Sequence, residues 1–354
     1  MSRISRYLIR TVLGFTAIAG FTLVAIYTFI AFVAEIDETG EGRFGMLQLL
    51  WYTLLMMPSG LYTLMPIIAL LGTLMGLGAL ASQNEINAMR ASGVTVRHLG
   101  GAMLAAGALL GALALALGDW LAPAGTMAAR AYKTEAQYTA PGSVTAKPIW
   151  LRDGRNILHI RALLAENEFA NVDVYTLGPA LSVERVMNVE SARYSGGRWH
   201  FSGVRLTRFS DDGVEAREIA EMKWDGTLSP EVLRLFVLEA NSLTVPGLLR
   251  LIGYMDENGL DARDYRLTLW RKLVAPLTVA AMMLFAVPYS LGSQRGGGTG
   301  QRLLIGILIG LGFYVVNEVT ASLGQLYAWP PSLAAGLPTT LLVLLAILRL
   351  QRAR

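Results

Sequence analysis

Cysteine is absent from the 354 residues, which excludes disulfides, thiolate metal sites and Cys nucleophiles and leaves the redox compartment unmarked. Charge is scarce: Asp, Glu, Lys and Arg make up only 16% of the chain, and no charged residue falls within 11–34, 44–84, 273–294 or 319–348. A run of about 18 or more uncharged, apolar residues is long enough to cross a bilayer as a helix. Histidine is nearly missing as well, and His98, His159 and His200 are too scattered to suggest a metal cluster. No G-x-x-x-x-G-K-[ST] phosphate loop, G-x-S-x-G elbow or H-E-x-x-H pair occurs, and the 296–300 glycine cluster lacks the Lys and the preceding strand that phosphate binding needs. The net charge of +4 is small and dispersed, which argues against nucleic acid as a partner. Such a chain has no visible catalytic apparatus, and any uphill work it does draws on another subunit or an ion gradient.

What is present is apolar sequence: 53% of the residues are hydrophobic. Six transmembrane helices are expected, near 11–34, 60–81, 99–118, 270–291, 303–325 and 333–350. Pro58 and Pro66 interrupt the long 44–84 run, so it is divided into an interfacial helix near 45–57 and the second span. The run after Arg10 is span-length and lacks a small-residue cleavage pattern, so it reads as an anchor and not as a removed signal. Arg3, Arg6, Arg10, Arg90, Arg97, Arg295, Arg302, Arg349, Arg352 and Arg354 all fall in segments on one side of this topology. By the positive-inside rule that side is the cytoplasm, so both termini are cytoplasmic. The loop after the first span carries Glu35, Asp37, Glu38 and Glu41 against Arg43 alone.

Between spans three and four lies a polar block with strand character, and the chain divides into 1–137, 138–228 and 229–354. The third span continues as a helix through Arg130 and Lys133. Alternation at Asn171–Tyr175 and at Glu221–Trp224, with turn residues at Gly196-Gly197 and Asp211-Asp212-Gly213, predicts short antiparallel strands in a sandwich or jelly roll. Helices return after Ser229-Pro230 and near 246–257. The fold class is thus a polytopic α-helical membrane protein with an extracytoplasmic antiparallel β domain.

Several residues invite a functional reading. The hairpin 82–93 predicts a short amphipathic helix, capped by Ser82 or Asn84 and ended by Gly93, which exposes Glu85 and Arg90 and gathers Ile86 and Met89 on one apolar face. It reads equally as a loop lying on lipid and as a helix docking into a cytoplasmic motor. Arg130 and Lys133 are spaced i, i+3 on one helix face, which suits a phosphate as well as plain solvation. Glu318 stands in an apolar run, where an ionisable group faces an interior, serves a proton or substrate site, or meets a structural partner. Phe29, Phe32, Tyr62, Met65 and Tyr314 put bulky apolar surface near the outer ends of spans one, two and five, facing lipid, core or an acyl-chain cavity. Gly72/Gly76, Gly107/Gly111 and Gly306/Gly310 permit close helix approach, within the chain by default.

Five stretches in order carry a resemblance along essentially the whole chain: 69–78 leading into Glu85…Met89-x-Ala91-Ser92-Gly93; Asp119-Trp120-Leu121-Ala122-Pro123; Tyr265-x-Leu267-x-Leu269-Trp270-x-Lys272; Phe313-Tyr314-Val315; and Tyr327-Ala328-Trp329-Pro330-Pro331. They resemble the LptF/LptG lipopolysaccharide export permeases, nearer the LptG side of that family. The resemblance implies an inner-membrane subunit with six spans and a periplasmic jelly roll. It also implies an LptF-like permease partner, an LptB-like ATPase dimer beneath and an LptC-like periplasmic bridge, with lipopolysaccharide as substrate. No cofactor is implied for this chain, since ATP and Mg belong to the ATPase. On this reading Glu85, Ile86, Met89 and Arg90 couple to the ATPase; Arg130, Lys133 and, in place of the family's missing basic loop residues, Arg43 meet lipopolysaccharide phosphates. Phe29, Phe32, Tyr62, Met65, Tyr314 and Glu318 line an acyl-chain cavity or its gates. A proton-coupled secondary transporter using Glu318, or a receptor, is the competing reading. The halves show no visible repeat, however, and the cytoplasmic segments are too short for an output domain.

Overall fold

The computed structural model describes residues 3–40, 42–137, 149–165, 168–178, 182–210, 213–224, 240–291 and 299–352. Its contacts divide the chain into a helical unit, Met1–Asp37, Leu49–Ala129 and Arg263–Arg354, and a second unit, Glu38–Gln48 and Arg130–Ala262. The helices are α1 (Arg3–Ala34), α2 (Met46–Ser82), α3 (Glu85–Ala91), α4 (Val96–Ala116), α5 (Ala122–Gln137), α6 (Val245–Glu257), α7 (Arg263–Leu291), α8 (Thr299–Leu326) and α9 (Pro331–Arg352). Six of them, with α4 and α5 counted as one continuous rod, are long and apolar enough to cross a membrane. The expected helix after Ser229-Pro230, the Asp211-Asp212 turn and the glycines 296–298 lie outside the described residues.

The expected break in the second apolar run is not made. α2 is one helix of 37 residues with Pro58 and Pro66 inside it. At about 1.5 Å per residue it is some 55 Å long, well beyond a hydrocarbon core of about 30 Å. Each proline removes one backbone donor, a loss that apolar helices tolerate when neighbours pack around the kink. The third span instead breaks step at Leu117–Leu121, a π-helical turn joining α4 to α5 just before Pro123. Such a turn loosens the regular ladder and turns a carbonyl toward other donors.

The small residues fix where helices touch. A Cβ on Gly72 would fall onto the Cα of Thr16 in α1, and one on Gly76 would lie 2.9 Å from Val12 Cα. Gly107 and Gly111 bring α4 against Ala280 and Pro276 of α7, while Gly306 and Gly310 set α8 against Leu71, Leu74 and Ile67 of α2. All three glycine pairs therefore serve packing within the chain. Burial then varies strongly by span: 17% of the apolar window is buried in α1 and in α8, against 72% in α2 and 56% in α7. α1 and α8 are the exposed spans of this unit.

The second unit contains β1 (Ile149–Asp153), β2 (Asn156–Ala165), β3 (Glu168–Leu177), β4 (Val183–Ser195), β5 (Arg198–Ser210) and β6 (Gly213–Trp224). They form one antiparallel sheet in sequential order. The antiparallel β domain is thus present. Among the described residues each strand pairs with its sequence neighbour, β4 and β5 through a tight hairpin turn. Gly196 and Gly197, with φ of 60° and 80°, supply the two left-handed residues of such a turn.

A plain meander has one inner face, but here the inner face changes phase. Buried positions run Phe169 then Val172 and Val174 in β3, Met187 and Val189 then Ala192 in β4, and Trp199 and Phe201 then Val204 in β5. Each strand takes one step of three in place of two. The steps line up: pairing skips Arg161 and Asn171, Glu190 and Gly203, with Asn171 at φ 53° and Gly203 at φ 65°. A row of kinks across neighbouring strands bends the sheet so that both halves turn their apolar side chains into one core. In its fold Leu158, Ile160, Phe169, Val172, Ala192, Trp199, Phe201 and Trp224 line a narrow apolar cleft.

Candidate functional site

Glu85, Ile86, Met89 and Arg90 all lie on α3, between the long α2 and α4. Asn84 stands at the N-cap position with φ 60° and makes no side-chain cap; its Oδ1 instead accepts from Asn87 Nδ2 at 3.2 Å. Gly93, at φ 95°, ends the turn as expected. Ile86 is 2% exposed and belongs to the helical core with Leu8, Val96 and Leu99, while Met89 packs against that core. The apolar face of α3 is therefore spent inside the chain. Asn87, Ala88 and Arg90 form the exposed face.

The foot of α1 is bound to this hairpin by two polar contacts. Tyr7 donates its hydroxyl to Glu85 Oε2 at 2.8 Å, and Ser5 Oγ lies 2.9 Å from His98 Nε2 at the start of α4. α1 is packed along its length at Leu8, Val12, Ala19 and Val24, while Phe21, Phe29 and Ile30 are 80%, 68% and 60% exposed. Phe32 is half-buried and Tyr314, on α8, is 46% exposed. Met65 is 3% exposed inside the helical core and acts there as a packing residue. Tyr62 is half-buried with its ring against Gly118.

Glu318 has a partner that its sequence position does not announce. Arg271 Nη2 donates to Glu318 Oε2 at 2.8 Å, joining α7 to α8. The neighbouring Lys272 is 4% exposed and donates to the Gly118 carbonyl at 2.6 Å, using an acceptor in the π turn. Asp119 stands in electrostatic reach of Lys272. Three helical segments, α7, α8 and the π turn, thus bring two cations and two carboxylates together. Arg271 and Lys272 read in the sequence only as the polar flank of a span; their partners lie 47 and 154 residues away.

In the second unit, Arg43 and Lys133 come together. Arg43 N donates to Ala136 O at 2.7 Å, and Lys133 Nζ lies 6.0 Å from the Phe44 ring centroid. Arg130 is half-buried one turn before Lys133. Lys133 is already engaged: its ammonium meets Glu38 at 2.5 Å, and Gln137 donates to the same carboxylate at 3.1 Å. Where the family resemblance led to expectation of basic residues, this loop supplies an acid that neutralises one of the two cations.

Two kinds of relationship connect these observations to known proteins. The family model for the lipopolysaccharide export system permease LptF/LptG matches residues 6–352. The chain belongs to the LptF/LptG family. Among its relatives, the lipopolysaccharide export system permease protein LptG of Escherichia coli K12 is 30% identical over 352 residues, covering 99% of this chain and 98% of its own. LptG of Haemophilus influenzae is 28% identical over 358 residues, covering 100% and 99%. Membership makes the chain a multi-pass inner-membrane permease of lipopolysaccharide export, a transporter and not a catalyst. The receptor reading falls with that assignment, and in the structure Glu318 pairs with Arg271.

Proposed function

We propose that this chain extracts lipopolysaccharide from the inner membrane as one of a pair of permease subunits. A separate ATPase dimer drives it from the cytoplasm, and a periplasmic bridge protein receives the lipid. The observation that carries the coupling is α3, whose apolar face is locked into the helical core while Asn87, Ala88 and Arg90 stay exposed. A free amphipathic loop would lay Ile86 and Met89 on lipid; this one keeps a polar face for a protein. ATP and Mg then belong to the ATPase, and no cofactor is assigned to this chain. Both termini and α3 face the cytoplasm, since the basic residues gather there, and the β unit faces the periplasm.

The energetic problem is the lipid's acyl chains, each buried methylene contributing about 0.8 kcal/mol to membrane affinity. Exposed apolar surface on α1 and α8, including Phe29 and Tyr314, offers those chains an alternative surface as they leave. Arg43, Arg130 and Lys133 serve phosphate groups once Glu38 is displaced from Lys133. A photo-crosslinking residue at Tyr314 tests this in the assembled complex with its permease partner and ATPase. A lipopolysaccharide adduct that forms at rest and is depleted by ATP is expected. An intact complex that gives no adduct overturns the reading.

A further inference from the structure

α7 and α8 run antiparallel, and two polar contacts cross between them. Arg271 meets Glu318, and Gln325 Nε2 donates to Asp264 Oδ1 at 3.0 Å. From 318 to 325 and from 271 to 264 is seven residues each, two helical turns, so both contacts lie on one face of each helix. Asp264–Gln325 completes its hydrogen bond. Arg271–Glu318 does not complete its own: Arg271 Nε is buried and has no hydrogen-bond partner among the described residues. A desolvated guanidinium donor without an acceptor is costly, and an anion with several oxygens satisfies it better than the single carboxylate oxygen now in contact.

The two partners differ in how firmly they are held. Arg271 is 28% exposed on a span that is more than half buried, whereas Glu318 is 52% exposed on α8, one of the two least covered spans. Movement of α8 would therefore withdraw Glu318 and leave Arg271 in place. Charge follows the same logic. Arg271 and Lys272 balance Asp119 and Glu318 when the helices are together, and removing Glu318 leaves one positive charge beside the unmatched donor. Trp120 beside Asp119, Trp270 beside Arg271, and Tyr327 and Trp329 just past Gln325 are exposed, at 72%, 41%, 65% and 39%, and aromatic residues of this kind settle at the headgroup level of a bilayer.

We propose that Arg271 is a binding residue for a phosphate on the headgroup of the transported lipid, covered by Glu318 while α8 lies against α7 and uncovered when α8 moves away. This rests on the export function and outward orientation proposed above. The guanidinium supplies the planar, two-pronged donor that a phosphate accepts, and Glu318 is the internal anion it replaces.

The test uses the whole complex with its permease partner and ATPase in nanodiscs. Binding is measured for a bisphosphorylated lipid A, for the same lipid with its phosphates removed, and for phosphatidylglycerol. Arg271→Gln should weaken binding of the phosphorylated lipid about tenfold and leave the dephosphorylated lipid unchanged, and Arg271→Lys should recover part of the loss. Glu318→Gln should tighten the phosphorylated lipid several-fold, because the competing carboxylate is gone. Equal loss for both forms of lipid A would make Arg271 a merely structural residue and overturn the proposal. Loss confined to phosphatidylglycerol would assign the site to a surrounding lipid and overturn it equally. Failure of the export reading shows elsewhere, as a wild-type complex that does not release lipid A on ATP addition.

Discussion

Asp173 is a carboxylate buried to 5% exposure in the middle of a sheet, and its surroundings decide its charge. Burial alone pushes its pKa up, but hydrogen bonds from Asn188 (2.7 Å), Arg161 (2.7 Å) and His159 (3.3 Å) outweigh this and hold it below the ordinary value. The folded value lies below the unfolded one, near 3.9 for a free Asp, so the stabilisation is complete above that pH and is lost as pH falls through the folded value. Asp173→Asn keeps the shape and removes the charge, leaving Arg161 without its ion pair. It should cost about 1–3 kcal/mol near neutral pH. Pulse proteolysis of the full-length protein, following fragments from β2–β4, should show wild-type resistance falling below about pH 4 and the variant flat there; parallel curves would sink the account. Nothing in the alternation Asn171–Tyr175 reveals this. The pattern marks a strand and suggests that Asp173 faces water, but Trp150, stacked on His159 at 4.1 Å, and the partners on β2 and β4 come from elsewhere in the chain.

Elements were legible to the degree that one physical rule governs them locally. Spans are set by missing charge, which is readable in a window of residues, and the turn at Gly196-Gly197 by the need for two left-handed residues. The unbroken α2 was not legible, because a proline breaks a helix in water and merely bends one that neighbours surround. The phase steps in β3 to β5 were not legible either: only their alignment across strands gives them meaning, and Asn171 and Gly203 are unremarkable singly. Helix contacts show the same division, since a small-residue pair announces close approach without naming its partner. Gly72 meets a backbone atom of α1, so Gly72→Val forces the helices apart, at a cost of about 1–3 kcal/mol. Gly101→Ala, where the added carbon has open space, is the matched control. Thermal midpoint and cysteine-labelling at a Thr16→Cys reporter measure both. The first variant should be less stable and more readily labelled, and the second unchanged; equal behaviour would remove the close contact as the cause. Tyr254 makes a parallel case on α6, its hydroxyl donating to Arg152 O at 2.5 Å with its pKa pushed up to about 12 by burial and by Asp153.

Across the membrane unit, motion at the base can reach the outer ends only through what is tied together at the base. α3 is fixed at its apolar face by Ile86 and at its first turn by the Tyr7–Glu85 bond, and α1 packs through Leu8, Val12, Ala19 and Val24 while Phe21, Phe29 and Ile30 stay exposed. A displacement of α3 is therefore delivered to the foot of α1, which lies in close contact with α2 at Gly72 and Gly76. If α3 couples to an ATPase as proposed, Tyr7 is a positioning residue, tied to Glu85 on the α1 side while Glu85 would serve the motor as well. The two uses separate by mutation. Tyr7→Phe removes the hydroxyl and keeps the ring, so the complex should assemble and hydrolyse ATP at near wild-type rate while releasing several-fold less lipopolysaccharide per ATP. Glu85→Ala should lose ATPase recovery as well. The decisive quantity is lipid released per ATP consumed, measured on purified complex in vesicles. A wild-type ratio in Tyr7→Phe would disconnect α1 from α3, and a ratio lowered only in step with lost assembly would reduce the bond to a fold contact.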